Sequence, residues 1–177
     1  MRITGGFLLG RKVKVSGGEI RPSMDRMRES VFAVLGDLSG CSFLDIFSGT
    51  GIIALEAVSR GAAYVEAVEK DPIKRKTLLE NVKISPIRIN CRFMPAELYI
   101  KRAKQPFDYI FCDPPFTYEY KWELIRQIAA SPLVKKGTWL LIHRPKEDSC
   151  DNPDSCPPLA ESRAYGRSIV DFFKIHT

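Results

Sequence analysis

Two short stretches of the chain carry residue types arranged for chemistry. The first is Asp113-Pro114-Pro115-Phe116. Its two prolines fix the backbone and remove two N–H donors. What remains to face a ligand is the Asp113 carboxylate and the proline carbonyls, all acceptors. An acceptor-only cluster suits a group that must donate hydrogens, such as an exocyclic amine. Phe116 adds an apolar face on which a flipped base can stack, worth ~1–3 kcal/mol. Taken alone, the same four residues read as a proline-stiffened loop at a strand end with a phenylalanine packed into the core, so their place in the fold decides.

The second stretch is Asp45-Ile46-Phe47-Ser48-Gly49-Thr50-Gly51. Its glycines let the backbone turn sharply and approach a ligand with no Cβ in the way, and the helix start beyond them presents free N–H groups. Glu69 follows 18 residues after Gly51, where a carboxylate can accept hydrogen bonds from the ribose hydroxyls of an adenosine cofactor. Asp45 argues against a dinucleotide: such sites aim a helix N-terminus at a pyrophosphate, and a carboxylate four residues before the first glycine would repel it. A cofactor bearing a sulfonium cation and an amino acid is helped by the same charge, so the residues favour S-adenosylmethionine.

These stretches need elements to hold them, and the hydrophobic pattern supplies them. Strands are expected at Cys41–Phe47, Tyr64–Val68, Asn90–Met94, Phe107–Cys112 and Gly137–His143. Helices are expected between them at Gly51–Ser59, Pro72–Lys83, Ala96–Arg102 and Tyr120–Ala130. Such alternation implies a largely parallel sheet covered on both faces, with ligands outside the C-terminal ends of the strands. Both stretches fall at such ends. Residues 145–158 are polar and proline-broken and read as a loop. Leu159–Tyr165 and Ile169–Ile175 are β-like, with Gly166–Ser168 between them, and should pair antiparallel at a sheet edge.

Upstream, Arg2–Thr4 and Arg11–Val15 read as a small β-arm with glycines between them, and these glycines suggest an arm that orders on contact with a partner. A helix follows, capped by Ser23, with Met24, Met27, Val31 and Val34/Leu35 on one face and Arg26 and Arg28 off the stripe. Residues 1–22 are taken as the arm and 23–177 as the main domain.

The chain of 177 residues carries a net charge of +6. Nearly all the excess lies in residues 1–28, where Arg2, Arg11, Lys12, Lys14, Arg21, Arg26 and Arg28 face only Glu19 and Asp25. A polyanionic partner would be drawn there. Apolar residues at 45% and charged residues at 27% are ordinary for a globular domain and exclude a disordered or coiled-coil chain. There is no run long enough for a membrane helix and no signal-like segment, so a cytoplasmic protein is expected. Five cysteines without a CxxC pair, and only His143 and His176, give no zinc pattern; no metal is expected.

With these residues in view, the chain resembles the class I S-adenosylmethionine-dependent methyltransferases that methylate amines. More narrowly it resembles the bacterial small-subunit (16S) ribosomal RNA guanine-N2 methyltransferase family. The likeness rests on Arg2–Gly6 and Gly10–Lys12 in the arm, Arg21–Ser23, Asp25–Phe32, Phe43–Gly51, Leu55–Ala57, Ser59–Ala62, Glu69 and Asp113–Phe116. It implies a Rossmann-like seven-stranded sheet with an antiparallel last strand. S-adenosylmethionine would lie across Asp45, Ser48, Gly49, Thr50 and Gly51, with Glu69 on its ribose and the Ala96 region near its adenine. The target amine would be held by Asp113 and the Pro114 carbonyl, with the base on Phe116. Arg2, Arg11, Lys12, Arg21, Arg26 and Arg28 would meet small-subunit ribosomal RNA, free or within a ribosomal particle, with the enzyme acting as a monomer. Two positions depart from the family. Phe93-Met94-Pro95-Ala96-Glu97 stands where an acidic residue often follows strand three, and His143-Arg144 stands where strand five usually ends in an acid. A histidine there could touch RNA or be structural. Other readings are methylation of a DNA base or of a protein glutamine, or a non-catalytic RNA-binding assembly protein.

Overall fold

The computed structural model describes residues 1–15 and 22–176, with the backbone alone for 22–24. Five parallel strands form most of one sheet: β1 Ser42–Ile46, β2 Tyr64–Val68, β3 Ile89–Arg92, β4 Tyr109–Cys112 and β5 Trp139–Pro145. The tail adds β6 Leu159–Tyr165 and β7 Ser168–Lys174, giving the order β3-β2-β1-β4-β5-β7-β6. β7 runs antiparallel to β6, as the tail pattern predicts, and also antiparallel to β5. The strands read as nearly continuous apolar runs because helices cover both faces.

On one face lie α1 Pro22–Leu35, α2 Ile52–Ser59 and α3 Pro72–Asn81; on the other lie α4 Ala96–Lys101 and α5 Lys121–Ala129. The first core contains Phe32, Phe43, Leu55 and Phe111, and the second Ile46, Phe107, Ile110 and Ile128. α3 starts where Asp71 caps it, its side chain accepting from the Ile73 N–H at 2.9 Å, with Pro72 in the first turn. Ser23, the expected cap of α1, lies outside the described side chains, and Arg21 outside the described residues.

Chain order explains why the site forms where it does. β1 sits between β2 and β4, so the chain leaves the sheet centre in opposite directions. At such a switch point the loops after neighbouring strands diverge and open a crevice.

The N-terminal arm pairs with itself as a short antiparallel hairpin: Arg2 and Lys12 are bridge partners, and the Ile3 and Val13 N–H groups donate to the Arg11 and Met1 carbonyls at 3.0 and 2.9 Å. The arm is already docked on the body: Ile3 and Val13 are buried in the first core. The Phe7 N–H reaches the Ser59 carbonyl at 2.9 Å, and the Leu8 N–H reaches Ser59 Oγ at 2.9 Å. Gly6, at φ 75°, lies so close that a Cβ would sit 1.8 Å from the Ser59 carbonyl oxygen, so the contact requires glycine. Farther along, Asn81 of α3 brackets Lys14, accepting from its N–H and donating to its carbonyl, both at 2.9 Å.

Arg28 corrects the sequence reading outright. Its side chain is fully buried and offers nothing to RNA. Its guanidinium donates to Glu56 Oε1 at 3.0 Å, Asp25 Oδ1 at 2.6 Å and the Arg2 carbonyl at 2.8 Å. Glu56, also fully buried, accepts from the Thr4 N–H and hydroxyl at 2.9 and 2.8 Å and pairs with Arg60. One ion cluster therefore binds the arm, α1 and α2 together. Removing one member of a buried pair leaves the other charge stranded, at a cost of about 3–5 kcal/mol. Arg28→Ala is expected to lose about that much stability in urea unfolding, whereas Arg26→Ala, at an exposed position, is expected to change stability by less than about 0.5 kcal/mol.

Candidate active site

β1, β4 and β5 end side by side. Ile46 pairs with Cys112, and Cys112 with Ile142. The Asp113 N–H continues the ladder to the Ile46 carbonyl at 3.1 Å. These registers place Asp45, Asp113 and His143, from three strands, around one cavity of about 620 Å³. Ser48, Gly49, Thr50, Glu69, Lys70, Lys74 and Pro114–Thr117 complete most of its wall, and Met1 and Val15 of the arm reach it. A cavity of this size can take a nucleoside-sized ligand.

The turn after β1 is tightly specified. Phe47 takes φ 65°, the single non-glycine residue with positive φ among those described, and Gly49 and Gly51 take 57° and 82°. A bulky residue held there costs of order 1–3 kcal/mol, and such outliers cluster at ligand sites. A Cβ on Gly51 would meet Leu78 of α3 at 2.7 Å. The turn is tied to β2 by Glu69, which accepts from the Gly49 N–H at 2.8 Å and the Asp71 N–H at 2.9 Å.

Asp45 is fully buried. Its Oδ2 accepts from Ser48 Oγ at 2.6 Å and the Ala54 N–H at 3.2 Å, while Oδ1 has no partner among the described residues. Burial pushes its carboxyl up to about 7. The Ser48 hydroxyl and the Ala54 N–H pull against that rise, and the Asp113 and Glu69 carboxylates add to it. A buried acid with an unused oxygen and a pKa near neutrality is a group waiting for a donor or a cation.

The loop after β4 is clamped from behind. Lys121, at the start of α5 and nearly buried, donates to the Phe116 carbonyl at 2.8 Å and the Tyr118 carbonyl at 2.5 Å, and pairs with Asp148 at 2.7 Å. The Tyr118 hydroxyl donates to Glu97 Oε1 at 2.5 Å, and its ring packs on Phe47 with centroids 5.3 Å apart. Phe116 remains partly exposed. No protein donor reaches the Pro114 carbonyl or Asp113 Oδ2 among the described residues. Asp113 Oδ1 meets His143 Nδ1 at 2.8 Å.

Of the residues singled out in the sequence, the structure gathers Asp45, Ser48, Gly49, Thr50, Glu69, Asp113, Pro114 and Phe116 on the cavity wall, with Gly51 shaping the turn behind them. Ala96 is different. Its side chain is buried among Val68 and Ile100, so only its backbone is left to offer a ligand. Arg2, Arg11, Lys12 and Arg26 are exposed. Lys121, Phe47 and Tyr118 carry no signal in the sequence. A lysine at a helix start looks solvated, and positive φ at a phenylalanine leaves no sequence mark.

The cavity fits S-adenosylmethionine on its own chemistry. Its inner wall carries the Asp45, Glu69 and Asp113 carboxylates, with one buried oxygen unpartnered, which suits a ligand bearing a sulfonium, an ammonium and ribose hydroxyls.

Comparison with known proteins agrees. A family model described as conserved hypothetical protein 95 matches residues 1–174. A Buchnera aphidicola protein named ribosomal RNA small subunit methyltransferase D is 29% identical over 156 residues, covering 83% of this chain and 79% of that protein. The Escherichia coli protein of the same name is 34% identical over 122 residues, covering 66% of this chain and 60% of that protein. The solved structure of Escherichia coli yhhF superposes with a TM-score of 0.87 at 25% identity, over 100% of this chain and 98% of the other. A Thermus thermophilus protein superposes with a TM-score of 0.83 at 30% identity, over 99% of both chains. With the strand order and the match running nearly end to end, the chain belongs to the conserved hypothetical protein 95 family, whose relatives include the small-subunit ribosomal RNA methyltransferases D.

Proposed function

We propose that this protein uses S-adenosylmethionine to methylate the exocyclic N2 amine of a guanine in small-subunit ribosomal RNA. The observation that carries the reading is the acceptor set at the end of β4: Asp113 Oδ2 and the Pro114 carbonyl, without protein donors among the described residues, beside a partly exposed Phe116. An amine with two hydrogens satisfies both acceptors, and a base on Phe116 brings its edge to them. Asp45 and Glu69 would hold the cofactor, which supplies the methyl group as an electrophile. The chain's own work is to orient the amine nitrogen and draw electron density onto it, so catalysis comes largely from positioning.

The RNA is assigned to the basic arm face. Arg2, Arg11 and Lys12 project from the arm, and Arg26 from the neighbouring helix, all exposed; Arg2 and Lys12 are bridge partners. Charge reversal at Arg11, Lys12 and Arg26 is expected to weaken RNA binding and to flatten its dependence on salt, by about 0.7–0.9 in log–log slope for each phosphate no longer neutralised. Cofactor affinity should stay within about twofold. Fluorescence titrations across a series of salt concentrations would measure both, and equal loss of both affinities would reject the separation of roles.

The reading itself is tested by transfer of labelled methyl to small-subunit RNA, free and in particles, taken from cells lacking the gene. Nucleoside digestion and mass spectrometry should then find N2-methylguanosine. Label on another nucleoside, on DNA or on protein would replace the guanine assignment.

A further inference from the structure

We propose that His143 is a further catalytic residue: held by Asp113 through Nδ1, it takes at Nε2 the proton that the target amine must lose. The inference rests on the amine-methylation reading above and adds to it the destination of the proton.

The geometry supplies an oriented base. His143 Nδ1 lies 2.8 Å from Asp113 Oδ1. A carboxylate only accepts, so the shared hydrogen sits on Nδ1, and in the neutral ring Nε2 carries the lone pair. That nitrogen is buried and has no partner among the described residues. A buried polar atom left unsatisfied is costly, and this one belongs to a ring on the wall of the cavity. Phe116, the proposed stacking platform, packs against the imidazole with ring centroids 5.4 Å apart and planes at 69°, so a base that engages this exposed ring lies beside His143, and the covered Nε2 becomes reachable as the ring shifts. A carboxylate that orients an imidazole whose far nitrogen faces the substrate is a recurrent solution for moving a proton.

The chemistry balances. As the amine nitrogen forms its bond to the methyl carbon, the carbon–sulfur bond breaks and its electron pair stays on sulfur. The nitrogen is left with one proton too many. That N–H bond breaks, its pair returns to nitrogen, and Nε2 binds the proton. The imidazolium is balanced by Asp113, whose Oδ2 keeps one amine hydrogen, while the hydrogen first held by the Pro114 carbonyl is the one passed to Nε2 once the nitrogen becomes tetrahedral. Other charged groups are differently engaged. Asp45 of β1 faces the same cavity. Lys121 of α5 is committed to the Phe116 and Tyr118 carbonyls and Asp148. Arg144, next on β5, pairs with Asp171 of β7 at 2.6 Å. Among the described residues, Asp113 alone bonds to the imidazole.

His143→Asn separates proton acceptance from positioning, because the asparagine amide can still donate to Asp113 but offers no basic nitrogen at the Nε2 position. The full-length variant is expected to lose about 10²–10⁴-fold in kcat, with KM for RNA and for cofactor within about threefold. The acidic limb of the kcat–pH profile, where a protonated Nε2 blocks the reaction, should disappear. Retention of wild-type kcat and pH profile in His143→Asn would overturn the proposal. A second readout needs no turnover: with only His143 and His176 in the chain, nitrogen-15 NMR of the imidazoles reports the tautomer directly. The Nδ1–H form with a bare Nε2 is expected at pH 8 in the protein bound to S-adenosylhomocysteine, and an Nε2–H form overturns the proposal whatever the substrate. Methylation of an amine other than guanine N2 would overturn the substrate reading alone, and the same pH profile would then be read on that acceptor.

Discussion

Asp113→Ala is expected to abolish methyl transfer, lowering kcat by at least about 10³-fold, while the dissociation constant for S-adenosylhomocysteine changes by less than about threefold. The asymmetry follows from where the residue points. Asp113 lies one step beyond β4, with Oδ1 on His143 and Oδ2 free of protein donors among the described residues. None of its side-chain contacts braces the glycine turn, which is held instead by Glu69 on the Gly49 N–H and by Asn81 on the Thr50 carbonyl. Alanine removes the acceptor for the amine and also releases the imidazole, so two aids to the same step vanish together. Asp113→Asn keeps one acceptor oxygen but no charge, and its expected loss is intermediate. Phe116→Ala removes the stacking face, worth ~1–3 kcal/mol, and should appear mainly as a higher KM for RNA. Single-turnover transfer, with cofactor binding followed by calorimetry, separates these effects. A parallel fall of cofactor affinity and rate in Asp113→Ala would place the residue in cofactor binding and reject the assignment.

The elements that hold this site are legible in the sequence because buried parallel strands are short apolar runs bounded by turn residues. Tyr64–Val68 and Leu159–Tyr165 are read from sequence with the same ends as in the structure. β3 ends earlier than expected, at Arg92, because Phe93 and Met94 leave the ladder before Pro95 starts α4. β5 runs farther, to Pro145, because β7 pairs with it to the end. The periodicity of α1 holds a clue against the RNA role expected of Arg28. Arg28, expected off the apolar stripe, lies on it: position 28 is four residues after Met24, three before Val31 and seven before Leu35, and the side chain is fully buried. The matching clue is Glu56, a lone acid in the apolar run Ile52–Val58. Each buried charge demands a partner, but sequence alone does not say that the two demands meet. The same limit hides the pairing of Asp113 with His143, which are 30 residues apart and brought together by the parallel register of β4 and β5.

Asp45→Asn is expected to make the cofactor-free protein more stable at pH 8 while costing it at least about 30-fold in cofactor affinity. The sign follows from the raised carboxyl of about 7, against 3.8 as the ordinary value. Between pH 4 and 7 the folded chain holds this proton and the unfolded chain does not, so the contribution of Asp45 to stability falls as pH rises through that window. Below pH 4 there is no penalty, and above 7 it is complete, on the order of 4 kcal/mol as an upper bound. Asparagine carries no charge to bury and so escapes the penalty. The proposed cofactor escapes it differently, by bringing cationic groups to a carboxylate that already has one oxygen unpartnered. Binding should therefore favour the ionised form, release a proton below pH 7 and weaken about tenfold per unit as pH falls further. Calorimetry in two buffers of different ionisation enthalpy measures that proton, and thermal unfolding at pH 5 and pH 8 measures the stability term. Asp45→Asn should flatten both pH dependences. A variant that binds as tightly as the wild type with the same proton release would show that Asp45 takes no part in holding the cofactor. If the expected result holds, the strained turn at Phe47 and the buried acid beside it are two stability costs at one site, which cofactor binding partly offsets.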